Sequence, residues 1–345
     1  MIDLGGEWRL GSPEWKDKTI PAELPGDNYS ALLAAGMIPD PYFGRNEEKV
    51  QEFRRYEWEF ARDFEVSEEL LAKQYVYLNC EMVDTFATIR INGRKAVTTE
   101  NAFCRYRPEV RSLLKPGMNT ISIHFKSAEL EAKKVAEKMP FPIPMNGCSK
   151  VQNLNLIRKA HCHGGWDWGI TLMVAGVYEP LYLFGVDGGR IDAVWTDQKH
   201  EGKSVEVTAV AELHAEKPCR TAVTFRFNGE ERQVSASLKA GRNLVKAKFE
   251  VKNPRLWWPN GFGAPELYPL TVETDDESVE KEIGLRTIEV VNLPDDGGVS
   301  MFFRVNGVDV FAKGADWIPA DALPSRQTEE RFEDLLESSR LANMN

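Results

Sequence analysis

The residue types best suited to chemistry lie at positions 164–169, which read Gly-Gly-Trp-Asp-Trp-Gly. Trp166 and Trp168 offer aromatic planes on which the apolar C–H face of a sugar ring can stack. Asp167 between them is an ionised acceptor that can take hydrogen bonds from two neighbouring hydroxyls at once. The flanking glycines give the backbone freedom and let a ligand approach closely. The segment therefore predicts a carbohydrate-binding loop.

An alternative places the same residues in a β-strand. Trp166 and Trp168 are two positions apart, so both would face a sandwich core while Asp167 would point to water. His163, directly before the glycines, is a candidate for hydrogen bonding to a ligand. The alternative for His163 is a histidine whose ring is satisfied within the sheet. Spacing alone leaves both pairs of interpretations open.

Two other kinds of chemistry are conceivable around the same segment, a zinc site and a cysteine nucleophile. His161 and His163, with Cys162 and Cys148, are ligand types that suit zinc, but Cys162 would face away from the histidines and no Cys-x-x-Cys spacing is present. Cys162 or Cys104 could act as a nucleophile only with an orienting base, and none is identifiable. We therefore expect no metal, no cofactor and no cysteine chemistry.

Composition excludes several classes of partner. The 345 residues carry a net charge of −10, which argues against nucleic acid or an anionic membrane surface and favours a neutral ligand. Five scattered cysteines do not form a disulfide framework. The first residues have no basic or apolar leader pattern, and no segment reaches the ~18 apolar residues of a membrane span. We expect a cytoplasmic protein, and self-association into a homo-oligomer is left open.

The elements that must position the loop alternate mostly with a period of two, which is typical of β-strands. Asn92-Gly93 and Pro116-Gly117 mark turns between them, and residues 127–138 form a charged, helix-prone excursion. Residues 1–186 therefore predict one large β-sandwich. The strands expected there lie at residues 56–60, 74–78, 86–91 and 120–125.

A second run of strands follows, at residues 204–210, 221–227 and 244–251. Asn228-Gly229 and Ala240-Gly241 supply turns, and the spacing predicts an immunoglobulin-like sandwich over residues 187–292. Residues 256–263 pack tryptophans, proline and glycine into a loop, for which a structural plug is favoured over a binding surface. The charged run at 45–49 is interpreted as a solvated loop.

Residues 293–345 change character. A hairpin is expected to turn at Asn306-Gly307, and a helix is expected after Thr328 as N-cap. One helix face would carry Phe332, Leu335, Leu336 and Ser339. This is a single βα unit, which cannot close a parallel barrel by itself. We expect the chain to stop early in such a domain, leaving the apolar face of the helix unburied.

Three segments together resemble the β-mannosidases of glycoside hydrolase family 2. The most specific is residues 158–169 (RKAHCHGGWDWG), which is similar to the family's sugar-binding segment. Residues 257–270 resemble the end of its immunoglobulin-like domain, and residues 311–321 resemble the first strand of its catalytic barrel. The resemblance implies a mainly β chain: a jelly-roll-like sugar-binding sandwich, an immunoglobulin-like sandwich and the first βα unit of a (β/α)₈ TIM barrel.

The resemblance also implies a function. Family members hydrolyse terminal β-D-mannose by a retaining mechanism with two glutamates on later barrel strands, so no catalytic residue is expected in this chain. It implies that Trp166 and Asp167 close the pocket for the mannosyl unit of a glycan, with Asp316 and Trp317 at the barrel rim. Asp316 could instead cap local backbone amides. The open alternatives are a non-catalytic carbohydrate-binding fragment and another family 2 glycosidase, a β-galactosidase or β-glucuronidase.

Overall fold

A computed structural model describes residues 1–145 and 147–345. The chain divides into two compact units, and β-strands dominate both, which confirms the mainly β prediction. Within the described residues, no helix is long and apolar enough to cross a membrane. The first unit consists of Met1–Gly185 with Pro319–Glu329, and the second of Val186–Ile318 with Glu330–Asn345.

The first unit is a sandwich of antiparallel strands. Its largest sheet has the order β3-β2-β5-β10-β8-β9, and two smaller sheets have the orders β1-β12-β6 and β4-β11-β7. The strands are β1 Ile2–Asp3, β2 Gly6–Gly11, β3 Thr19–Leu24, β4 Gly26–Asp27, β5 Trp58–Val66, β6 Tyr75–Asn79, β7 Val83–Asp84, β8 Ala87–Ile91, β9 Arg94–Thr99, β10 Gly117–Phe125, β11 Gly176–Val177 and β12 Tyr182–Val186.

The period of two accounts for the strands of this sandwich. In β10, Ile121, Ile123 and Phe125 are fully buried, while the residues between them lie nearer to solvent. The turn at Asn92-Gly93 joins β8 to β9 with positive φ at both residues, as a tight hairpin turn requires. The sequence-predicted strands of the first sandwich are thus all present, with ends shifted by a few residues.

Four helices decorate the described part of this unit: α1 Asn28–Ala34, α2 Asn46–Lys49, α3 Glu68–Ala72 and α4 Ala128–Ala136. The predicted charged helix is α4, and the Ser127 hydroxyl caps it by accepting a hydrogen bond from the Leu130 amide. Beneath α4 lies a small apolar core of its own, formed by Ala132, Val151, Leu154, Ile157 and Met173. This core fixes the segment that leads into residues 164–169.

The second unit begins with two sheets packed face to face, of orders β13-β14-β17 and β16-β15-β18-β19. Every second residue of β14 from Val205 to Ala215 is buried between them. This is an immunoglobulin-like sandwich. Its strands are β13 Arg190–Glu201, β14 Ser204–Ala215, β15 Cys219–Phe227, β16 Glu230–Leu238, β17 Gly241–Lys252, β18 Tyr268–Glu273 and β19 Ser278–Ile283.

The same unit ends with short strands and one helix, α5 Glu329–Leu341, which begins directly after Thr328 as predicted. The predicted hairpin is confirmed, because β23 and β24 pair across Asn306-Gly307. The strands are β20 Ile288–Val291, β21 Pro294–Asp295, β22 Gly298–Val299, β23 Phe302–Val305 and β24 Val308–Val310.

The expected first barrel strand does not form in the described residues. Residues 311–321 lie in no strand, residues 311–319 are exposed, and β24 ends at Val310 in an antiparallel pair. A parallel barrel strand needs neighbouring strands to pair its backbone amides and carbonyls. The apolar face of α5 is largely exposed at Leu335 and Leu336, as expected for a helix without a sheet to cover it.

A substitution at Leu323 tests whether the segment Pro319–Glu329 packs against the first unit. Its side chain is fully buried in the first unit's core. Leu323→Ala should therefore cost about 2–5 kcal/mol of unfolding free energy, because it leaves a cavity. Urea unfolding of the chain measures this. Leu336→Ala on exposed α5 is the matched control, expected within about 0.5 kcal/mol of wild type. Equal effects would show that residues 319–329 do not pack as described.

Candidate functional site

Residues 164–171, here called the tryptophan loop, form a tight turn on a paired stem. Gly164 and Thr171 make an isolated antiparallel bridge. Within the turn, the Trp166 amide donates to the Gly169 carbonyl over 3.1 Å. Gly165 has a φ of +89°, and a Cβ there would lie 2.4 Å from Thr171 Oγ1. Glycine is thus required for this path of the backbone.

The turn points its polar and aromatic groups outward. Asp167 is exposed and forms no hydrogen bond or ion pair with any described residue. Trp168 is 42% exposed, Trp166 is partly buried, and their ring centroids are 6.1 Å apart at an interplanar angle of 34°. The alternative in which both tryptophans face a sandwich core is therefore wrong, because the segment is not a strand.

A buried cluster of charges lies at the base of the segment that leads into the loop. Asp84 Oδ2 accepts from Lys159 Nζ at 2.5 Å and from Tyr178 Oη at 2.8 Å. His163 Nδ1 lies 3.3 Å from the same oxygen. Lys159 Nζ also donates to the Val174 carbonyl at 2.6 Å. Asp84 and Lys159 are almost completely inaccessible, so this is a buried ion pair with most of its hydrogen-bonding capacity used.

The small sheet β4-β11-β7 builds this cluster. Gly176 of β11 lies opposite Asp27 on one side and Asp84 on the other, which brings both carboxylates to one level. A Cβ at Gly176 would lie 2.0 Å from the Gly26 carbonyl oxygen. The approach of the strands therefore depends on glycine. Asp27 also caps α1 by accepting from the Ser30 amide at 2.8 Å.

The buried groups of the cluster shift one another's pKa. Burial alone would raise the pKa of Asp84, but the Lys159 ammonium and the His163 imidazole outweigh it and hold that pKa well below its usual range. Burial lowers the pKa of Lys159, and Asp84 opposes that shift. Burial and the charge of Asp84 raise the pKa of Tyr178. Asp84 is thus the fixed negative charge around which the donors are arranged.

The two histidines near the loop have different surroundings. His163 is 8% exposed and faces Asp84, whereas His161 is exposed. The expectation that they share one face is wrong, because residues 161–163 form a short 3₁₀ turn rather than an extended segment. The described residues contain no group of three or more histidine, cysteine or acidic side chains placed to hold a metal. Burial raises the pKa of Cys162, which is the opposite of what a nucleophile needs.

Sequence reasoning missed an acidic residue that contacts the stem of the loop. The sequence predicts a solvated loop at 45–49, but Asn46–Lys49 is the helix α2. Glu47 on this helix accepts a hydrogen bond from the Thr171 amide at 2.8 Å, at the stem of the tryptophan loop. Asp84, Lys159 and Tyr178 were missed as well. Only Lys159 gave a signal, as a lysine inside the distinctive 158–169 segment.

The remaining predicted site residues belong to the second unit. Asp316 and Trp317 lie in the irregular stretch before Pro319, and both are exposed. Trp317 stacks on Phe332 of α5, with ring centroids 6.2 Å apart and an interplanar angle of 27°. Asp316 accepts no hydrogen bond from a described residue, which argues against the capping alternative.

The tryptophan-rich loop of the second unit has structural contacts. Trp257 lies under the guanidinium of Arg286, 4.5 Å from the ring centroid to the guanidinium carbon. Its amide donates to the Leu285 carbonyl, and its carbonyl accepts from the Asn306 side chain. These contacts favour the structural interpretation of this loop over a binding surface.

Two family models match the chain. Residues 8–179 match the galactose-binding domain-like model of glycosyl hydrolase family 2, and residues 189–286 match a second model of glycosyl hydrolases family 2. Together they cover most of both sandwiches described above.

Curated relatives match over nearly the whole chain. Beta-mannosidase B of Emericella nidulans is 32% identical over 92% of this chain and 38% of its own length. Beta-mannosidase B of Neosartorya fischeri is 33% identical over 97% of this chain and 41% of its own length. The chain thus spans about two fifths of the length of these relatives.

Solved structures give the same picture. A beta-D-mannosidase from Dictyoglomus thermophilum has a TM-score of 0.93 and 31% identity, over 100% of this chain and 43% of that one. An exo-chitosanase from Amycolatopsis orientalis, at 18% identity and a TM-score of 0.78 over 100% of this chain and 40% of that one, shares the fold alone.

The buried imidazole predicts a pH-dependent stability. Burial, and then the Lys159 ammonium, lower the pKa of His163 from 6.5. As the pH falls below about 6.5, the unfolded chain therefore takes up a proton that the folded chain does not, and stability falls by up to about 1.4 kcal/mol per pH unit. His163→Asn should flatten the decline in melting temperature between pH 7 and 5.5.

The control for this measurement is His161→Asn, which changes an exposed histidine two residues away. It should keep the wild-type slope of melting temperature against pH. Identical slopes for wild type and His163→Asn would contradict the assignment of His163 as a buried neutral imidazole.

Proposed function

Because the chain belongs to glycoside hydrolase family 2, we propose that this protein is a β-mannosidase, which hydrolyses terminal, non-reducing β-D-mannose residues of oligosaccharides or glycans. The curated relatives named beta-mannosidase B and the Dictyoglomus thermophilum enzyme support this choice of sugar. The observation that carries the proposal is the tryptophan loop, in which an exposed carboxylate without a partner among the described residues stands between the partly buried indole of Trp166 and the exposed indole of Trp168.

The loop suits the recognition of a sugar. The Asp167 carboxylate has both oxygens available, so it can accept hydrogen bonds from two hydroxyls of one ring. Trp166 provides the apolar wall for the C–H face of the ring, and Trp168 extends the aromatic surface. His163 acts beneath the loop rather than on the sugar, because its ring is buried against Asp84.

Asp316 and Trp317 are proposed as further substrate-binding residues. Both are exposed, and the stacking of Trp317 on Phe332 holds one face of the indole against α5 while leaving it 54% accessible. An accessible indole next to a carboxylate repeats the chemistry of Trp166 and Asp167.

Cleavage of the glycosidic bond needs two catalytic carboxyl groups, and we assign neither of them to a residue of this chain. A retaining glycosidase uses two carboxyl groups about 5–5.5 Å apart, one as acid/base and one as nucleophile. We propose that the two catalytic glutamates lie in a (β/α)₈ barrel within the part of the relatives' length that this chain does not span. The 345-residue chain by itself is then expected to be inactive.

A substrate comparison tests the proposal. Full-length enzyme should hydrolyse an aryl β-mannoside much faster than the corresponding β-galactoside or β-glucuronide. Preference for either of the other two glycosides would assign a different family 2 activity. Sugar binding by a full-length protein that hydrolyses none of the three would favour a non-catalytic carbohydrate-binding role.

Asp167 provides the sharper prediction. Asp167→Ala in the full-length enzyme should cost about 2–4 kcal/mol of transition-state stabilisation, roughly a 30- to 1,000-fold loss of kcat/KM, because a charged hydrogen-bonding partner is removed. Glu179→Ala, at another exposed acidic residue of the same unit, is the matched control and should retain wild-type kcat/KM. A loss below about tenfold for Asp167→Ala would make the residue peripheral to the sugar.

A further inference from the structure

The stem of the tryptophan loop is held from outside by one short helix. Glu47 of α2 accepts from the Thr171 amide at 2.8 Å, and the same oxygen accepts from Lys150 Nζ at 2.7 Å. The Gln51 side chain donates to the Thr171 carbonyl at 3.0 Å. Both backbone groups of Thr171 are therefore bound by side chains from the segment around α2.

The contact to Lys150 reaches the other side of the stem. The Lys150 amide donates to the Gly164 carbonyl at 2.7 Å, while its side chain reaches Glu47. Gly164 and Thr171 are the two residues that close the loop. The carboxylate of Glu47 thus connects directly to one end of the loop and, through Lys150, to the other.

The helix that carries Glu47 is anchored at both of its ends. Val50, directly after α2, is fully buried in the core of the first unit. The Asn46 side chain donates to the Asp40 carbonyl at 2.9 Å, which ties the start of α2 to the preceding turn. The Glu47 side chain is 19% exposed, whereas that of its neighbour Glu48 is 63% exposed and, among the described residues, pairs with Arg45 alone.

We infer that Glu47 is a positioning residue, which fixes the stem of the tryptophan loop so that Trp166 and Asp167 keep a geometry ready for the sugar. The bond to the Thr171 amide is charge-assisted, and such bonds are about twice as strong as neutral ones. A preformed loop avoids the entropy cost of ordering its side chains on binding. The expected effect of Glu47 on catalysis rests on the proposed function. Its expected effect on the order of the loop rests on the geometry alone.

The first test measures the loop without any substrate. Hydrogen exchange in the 345-residue chain should show the amides of the tryptophan loop exchanging about tenfold faster or more in Glu47→Ala, because the Thr171 amide loses an ionised acceptor. Glu47→Gln keeps an oxygen for that amide and should stay within about threefold of wild type. Glu48→Ala is the matched control and should not change the loop.

Amides in β14 of the second unit report whether a change is global. They should exchange at the wild-type rate in every variant, since Glu47 lies in the first unit. Unchanged exchange in the loop of Glu47→Ala would overturn the inference. The same would follow if Glu48→Ala raised loop exchange as much.

The second test uses full-length enzyme and an aryl β-mannoside. Glu47→Ala should lower kcat/KM by about tenfold or more at a temperature where it is fully folded, because small displacements of binding groups are costly. Glu47→Gln should recover most of the loss, and Glu48→Ala should match wild type. An unchanged kcat/KM in Glu47→Ala, with a loosened loop, would overturn the positioning role. Wild-type enzyme that hydrolyses no β-mannoside would defeat the proposed function, while loop exchange would still decide the role of Glu47.

Discussion

The buried ion pair between Lys159 and Asp84 is the interaction on which the arrangement of the site depends. Two charges removed from water are costly unless their geometry is close and their remaining hydrogen-bonding groups are satisfied. Here the Asp84 carboxylate accepts hydrogen bonds from Lys159 and Tyr178. The Lys159 ammonium also donates to the Val174 carbonyl. Removing either side chain would leave the other charge buried and uncompensated. The pair therefore holds the backbone around Asp84 and the backbone around Lys159 in one fixed arrangement.

The same ion pair also helps to hold the tryptophan loop. Lys159 lies a few residues before the tryptophan loop, and Val174 lies a few residues after it. A single side chain therefore ties the incoming and outgoing segments together, below the stem formed by Gly164 and Thr171. At the tip of the loop, Asp167 has no hydrogen-bond or ion-pair partner among the described residues. The exposed carboxylate beside two indoles therefore stands on a backbone that is tied from both sides.

The sequence was sufficient for the regular parts of the fold. Alternating burial in β10 and β14 follows directly from the period of two, and the hairpin at Asn306-Gly307 follows from the positive φ values that such turns need. The tryptophan loop could be recognised because its residues are contiguous. Its supports could not, since Asp84 lies 75 positions from Lys159 and Glu47 lies 124 positions from Thr171. Local pattern cannot reveal pairs that only the tertiary fold brings together.

The barrel strand expected at 311–321 shows the same limit, because a strand forms only with neighbouring strands and not from a suitable sequence alone. We propose above all that the tryptophan loop binds a mannosyl ring through Asp167. A crystal structure of full-length enzyme with a mannose-configured inhibitor tests this most directly. We predict that the Asp167 carboxylate lies about 2.5–3 Å from two ring hydroxyls, with Trp166 against the apolar face of the sugar. An inhibitor bound in the active site with Asp167 still turned to solvent would contradict the account.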